Sequence, residues 1–160
     1  MQNSRDPNAT ALAVLRIVVG LFFVVFGQYK VFGTDFTLHG GFQKYASGFL
    51  HGGAYPFMVP VLENILAHFA TPMAFLVAYG EFLIGISLVI GVLSRAASLF
   101  GFALMAAMWL SGGYPGPHAA FWMYWGASLN WSVLALCFVV LALGRPEERW
   151  SLSRSGSRSR

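Results

Sequence analysis

The chain's hydrophobic pattern centres on Thr71–Arg95, TPMAFLVAYGEFLIGISLVIGVLSR, which is apolar almost without a break from Pro72 to Leu93 and carries one charge, Glu81, near its middle. At 1.5 Å per residue this run reaches about 33 Å, enough to cross the hydrocarbon core of a bilayer. Thr71 suits a helix cap, Pro72 a first helical position, and Ser94-Arg95 a return to water. Three more segments read as spans: about Ala11 to Phe32, about Ala96 to Leu110 or Ser111, and one that ends near Gly144 after starting between Ala119 and Leu129. The third is short, so it extends into its flanks or the bilayer thins around it. In the loop Gly33–Tyr55, FQKYASGFL suits a short interfacial helix. After Pro56, FMVPVLENILAHFA is too short to span and places Val61, Leu62, Ile65, Leu66 and Phe69 opposite Glu63, Asn64 and His68. That pattern fits an interfacial helix or a re-entrant lid. The fold expected is an all-α membrane protein: a four-helix transmembrane bundle with an extra interfacial or re-entrant helix between spans 1 and 2.

Within the first span Arg16, Gly20, Phe23, Gly27 and Lys30 recur in steps of four, three, four and three, so they form one stripe. Its glycines allow close approach of a second backbone. A carboxylate in mid-membrane needs a partner, and this stripe offers Arg16 toward one end and Lys30 toward the other. Arg16 is the expected partner of Glu81, since Lys30 can snorkel to the headgroups.

Composition agrees with spans. The 160 residues are 57% hydrophobic and 10% charged, with a mean hydropathy of +0.63, a balance foreign to soluble domains. No linker divides the apolar segments, so residues 1–144 read as a single domain followed by a basic Ser/Arg-rich tail, 145–160, expected to be disordered. The net charge of +4 does not point to nucleic acid, because five arginines (145, 149, 154, 158 and 160) follow the last apolar segment. With Arg5, Arg16 and Arg95 they mark one side as cytoplasmic, leaving Lys30 and Lys44 on the other. Both termini are expected in the cytoplasm and the protein in the cytoplasmic (inner) membrane. Residues 1–10 are polar, with Asn8 or Thr10 suited to cap the first helix. The first span lacks a small-x-small cleavage site and reads as retained.

Candidate chemistry gathers on the outer side. Glu81 suits a proton carrier or a hydrogen-bond partner of a bound redox molecule, since desolvation raises carboxyl pKa values in general; the plain alternative is a structural ion pair orienting two helices. Four of the five tryptophans (Trp109, Trp122, Trp125, Trp131) surround the breaker cluster SGGYPGPH, as interfacial anchors or as the lining of a pocket. Ser128 and Asn130 add polar groups nearby, and His68 and His118 suit proton exchange at a pocket mouth. Arg95 reads as a positive-inside anchor or a partner for a helix C-terminus. His39, His51, His68 and His118 show no i, i+4 pair and Cys137 is the one cysteine, so no metal site and no two-cysteine redox centre is expected. No phosphate loop, nucleophile elbow or HExxH occurs.

These residues resemble the DoxX family of small four-span bacterial membrane proteins. The resemblance rests on Arg16, Gly20 and GQYK (27–30) in the first span, on GEFLIGISLVIGVLSRAA (80–97) in the second, on the late Asn130, and on the closing GRPEERWSLS. The FMVPVLENILAHFA segment departs from the simplest members. The resemblance implies a membrane subunit of a thiosulfate:quinone oxidoreductase or a membrane partner of redox-defence enzymes.

Taken together, the expected protein is an integral membrane subunit of a quinone-linked or redox-defence system. If enzymatic, it is a DoxX-like subunit of a quinone-dependent oxidoreductase. The quinone ring would sit among Trp122, Trp125, Trp131, Asn130 and Lys30, with Glu81, Arg16 and His68 as the proton-handling set. A soluble or membrane redox enzyme and a second copy of the chain are the partners considered. A small proton-coupled transporter and a non-catalytic scaffold for soluble redox enzymes are the alternatives.

Overall fold

The computed structural model describes residues 7–144; the tail at 145–160 lies outside the described residues. Among these, regular structure is helical throughout: α1 (Pro7–Phe32), α2 (Gly41–Leu50), α3 (Val59–His68), α4 (Ala70–Ile90), α5 (Ser94–Gly112), α6 (Met123–Gly126) and α7 (Leu129–Leu143). Helices α1, α4 and α5 are long and apolar enough to cross a membrane, whereas α7 is equally apolar but has 15 residues.

The stripe predicted on α1 forms its packing face. Arg16, Gly20, Phe23 and Gly27 are all buried. α1 lies antiparallel to α4 at backbone contact: a Cβ on Gly27 would stand 2.7 Å from the Phe82 amide nitrogen, and one on Gly85 2.5 Å from that of Val24. Small residues of this kind let membrane helices gain dispersion contact without a hydrophobic driving force between them. α5 pairs with α7, and α4 joins the two pairs through one core that includes Val19, Phe23, Leu88, Met105 and Phe138. Helices α2 and α3 cap the Lys30 end, where Phe42 and Ala46 of α2 pack with Ala74 and Val77 of α4, and Ile65 and Leu66 of α3 join them.

Helix boundaries moved relative to the apolar pattern. α4 begins at Ala70, separated from α3 by Phe69 alone, so Thr71 and Pro72 lie in its first turn and Thr71 is not the cap. Its end is Gly91, whose φ of 76° closes the helix in the left-handed region that glycine tolerates. Val92 and Leu93 continue the apolar run through this turn, so the apolar pattern alone does not mark the end of the helix. Ser94 and Arg95 therefore open α5, which extends the short third span to 19 residues. Arg95 does serve a helix C-terminus, but that of α7: its Nε donates to the Ala142 carbonyl at 3.4 Å. The described part of α1 runs from Pro7, which places Asn8 and Thr10 inside the helix and not at its cap.

Candidate functional site

At the Lys30 end the four long helices part around a cavity of about 260 Å³. Its base is ionic. The Lys30 ammonium, one turn from the end of α1, donates to both Glu81 carboxylate oxygens at 2.7 Å, with the side chains 24% and 8% exposed. The ammonium also lies 5.1 Å from the centre of the Phe36 ring. A lysine held between a carboxylate and an aromatic face is fixed in position and not left to seek the headgroups.

Glu81 therefore pairs with Lys30 and not, as the sequence suggested, with Arg16. The reason is helix register. The close contact of Gly20 with Gly85 and of Gly27 with Phe82 sets α1 against α4 so that Arg16 comes level with Leu88, whose carbonyl accepts from Arg16 Nη1 at 2.7 Å. Leu88 is seven residues beyond Glu81, about 10 Å along the axis. Arg16, wholly buried, belongs to the other end of the same helix pair.

The walls are apolar and soft. Phe23 and Phe26 rise from α1, Met105 and Met108 from one face of α5, and Trp131 and Leu134 from α7, with the Asn130 amide at the rim. Phe23 meets Phe138 edge to face at 5.0 Å beneath them, which closes the cavity toward the Arg95 end. The cover directly over the cavity is α2, and the Val59–His68 helix, expected as an interfacial helix or a re-entrant lid, packs beside it. Gly40, at φ 82°, turns the chain into α2; Phe42 and Ala46 bury one face, and Tyr45 and Phe49, also i and i+4, take a neighbouring one. Phe49 packs on Trp131 at 5.8 Å, and Tyr45 completes the cavity wall. Two backbone bonds tie this cover down: the Tyr55 N–H donates to the Leu110 carbonyl at 3.0 Å and the Tyr114 N–H to that of Gly53 at 2.9 Å.

Of the ligand-facing residues expected from sequence, Lys30, Asn130, Trp131 and Glu81 come together here. The others lie elsewhere. Trp122 and Trp125 precede the break at Ser128 that separates α6 from α7, and Trp125 instead packs against Trp109 with ring centres 4.9 Å apart and planes tilted by 40°. His68 ends α3 exposed, with its ring 6.3 Å from that of Phe69. Among the described residues no three His, Cys, Asp or Glu side chains gather in metal-binding geometry. Phe26, Tyr45, Met105, Met108 and Leu134 are not singled out by the sequence. The amphipathic spacing Phe42–Ala46 beside Tyr45–Phe49 was the available signal for Tyr45, while Met105 and Met108 look like any core pair.

Burial, and secondarily the Glu81 carboxylate, hold the Tyr45 phenol above its ordinary value of 10.0. The unfolded chain thus loses this proton first as pH rises. Stability tied to Tyr45 is present below pH 10.0 and lost as pH climbs through the raised value. Tyr45→Phe is expected to flatten the alkaline fall in melting temperature, and near-ultraviolet titration should show one fewer late-ionising tyrosine.

The model of the DoxX family matches residues 11–113, which include Lys30, Tyr45, Glu81, Met105 and Met108. The chain belongs to the DoxX family, and it is a membrane protein with several apolar helices. No curated protein and no solved structure matches it.

Proposed function

We propose that this protein binds a lipophilic, ring-bearing redox carrier of the quinone type in the cavity, as the membrane subunit of a redox system. The observation that carries the reading is an ion pair, Lys30–Glu81, forming the polar base of an otherwise apolar and aromatic cavity. The donor set suits such a ring. An ammonium donates to a carbonyl oxygen, a carboxylate accepts from a hydroxyl of the reduced form, and the Asn130 amide does either. Trp131 and the two methionines offer a flat, polarisable slot for the ring itself. A bound quinone supplies two-electron, two-proton chemistry. The chain's residues orient the ring and exclude water, and the electrons come from a partner protein.

In the bilayer, α1, α4, α5 and α7 are the four spans, with both termini, the α4–α5 turn and Arg95 at the start of α5 on the cytoplasmic side of an inner membrane. α7 reaches about 22 Å, so α6 with Trp125 and the preceding Trp122 sit at the outer interface or the bilayer thins there. The cavity then lies in the outer leaflet. A through-path for solute is disfavoured by the Phe23–Phe138 contact beneath it.

The test is organic extraction of detergent-purified protein followed by mass spectrometry for quinones, comparing wild type with Glu81→Gln. Near-stoichiometric quinone in wild type and a large loss in the variant is the expected result. No quinone in either sample sinks the proposal and favours a scaffold for soluble redox enzymes.

A further inference from the structure

How a carrier reaches the ion pair follows from the way α1 and α7 meet. Near the Arg95 end they touch: a Cβ on Gly144 would stand 3.0 Å from Leu12 Cδ1. Midway, the Phe23 and Phe138 rings meet at 5.0 Å. Beyond that contact, Phe26 and Lys30 of α1 face Asn130 and Leu134 of α7 across the cavity. The helices thus diverge toward the Lys30 end, and the space between them is the cavity itself.

Two of the neighbouring helix interfaces are closed. α1 is sealed against α4 by backbone contact at Gly27 and Phe82. α5 is sealed against α7 where Gly101 meets the Phe138 ring and Gly112 the Trp131 ring. The end is covered by α2, pinned through Phe49 to Trp131. Wall residues double as outer surface on the α1–α7 side, where Phe26 is 61% exposed and Asn130 is exposed opposite it, and at the cover, where Tyr45 is 41% exposed. The flanking residues on that surface, Phe22 and Val133, are exposed and apolar, as lipid contact requires.

We infer that the cavity opens sideways into the hydrocarbon between α1 and α7, and that its ligand is a two-part amphiphile. A polar ring rests on Lys30 and Glu81, and a long hydrocarbon chain leaves past Phe26 and Leu134 into the surrounding lipid. This rests on the carrier reading and adds to it a selectivity: the site is shaped for a ring that carries a tail. An enclosed pocket of this volume would accept the ring and reject the chain, whereas a lateral gap lets the chain stay in lipid at no desolvation cost.

The experiment uses two probes, decylubiquinone and the same dimethoxy-methyl-benzoquinone ring without a tail. Their affinities for the full chain in detergent micelles are measured by equilibrium dialysis, for wild type and for Leu134→Trp. Phe26→Trp narrows the same gap from the facing helix and stands in should Leu134→Trp fail to fold. Leu83→Trp, on the exposed face of α4, controls for bulk. Overpacking the gap is expected to lower the ratio of tailed to tailless affinity by roughly tenfold or more, with the control ratio unmoved. Equal loss for both probes, or an unchanged ratio, overturns the lateral opening while leaving the carrier reading in place. Failure of wild type to bind either probe overturns the carrier reading and this inference with it.

Discussion

Replacing Glu81 with Ala while Lys30 remains is expected to destabilise the protein by about 3–5 kcal/mol, because it strands a charge that the fold has taken out of water. Lys30→Ala should cost a similar amount for the mirror-image reason. The double replacement Lys30→Met with Glu81→Leu should recover most of that loss, since neither desolvated charge is left, yet it removes the polar base and should not recover quinone retention. Thermal unfolding in detergent, followed by circular dichroism, measures the cycle. A strong coupling between positions 30 and 81 is expected, and a coupling near zero between 16 and 81. The second half of that statement separates the observed pairing from the one the sequence suggested: Arg16 donates to the Leu88 carbonyl, two helical turns away. Coupling of Glu81 to Arg16 and not to Lys30 would contradict the register described for α1 and α4.

The second large effect belongs to that register. Val at Gly85 would drive its Cβ into the Val24 amide and the Gly20 carbonyl, at 2.5 and 2.9 Å, where backbone cannot yield as a flexible side chain would. Gly27→Val meets the Phe82 backbone in the same way. Each is expected to cost about 3 kcal/mol or more and to lower the yield of folded protein in the membrane. Because the same contact sets Lys30 opposite Glu81, these variants should also lose ligand, although neither glycine touches the cavity. Gly80→Ala provides the contrast. Nothing lies within 4 Å of a Cβ there, so it should be neutral or slightly stabilising through helix propensity. Melting temperature and monodispersity in size-exclusion chromatography check all three; a Gly85→Val protein as stable as wild type would remove the basis for the α1–α4 contact.

What could be read from sequence followed from residues whose cost in a bilayer is high. Glu81 marks the site because a lone carboxylate in an apolar run demands a partner, and the Arg16–Gly20–Phe23–Gly27–Lys30 stripe marks the surface that supplies one. Choosing between Arg16 and Lys30 required the offset between two helices, which depends on how Gly20 and Gly85 interlock and leaves no trace in either segment alone. The tryptophans divided for a similar reason. Trp131 follows the break at Ser128 and Trp122 and Trp125 precede it, so a turn in an apolar stretch decided which ring reached the cavity. The lid was expected on FMVPVLENILAHFA, which is the more apolar segment overall, whereas α2 is the more sharply two-faced helix and carries Phe49, which meets Trp131.

The far wall of the cavity comes from α7, and the match to the family ends at residue 113, before that helix begins. Lys30 and Glu81 are joined by helices made early, whereas Asn130, Trp131 and Leu134 arrive with the last apolar segment synthesised. A nascent chain halted after α5 would already hold the neutralised ion pair that lets α1 and α4 settle in lipid, but it would have no site. On the proposed carrier reading, substitutions in α7 would reshape the far wall of the site while leaving the Lys30–Glu81 pair between α1 and α4 in place.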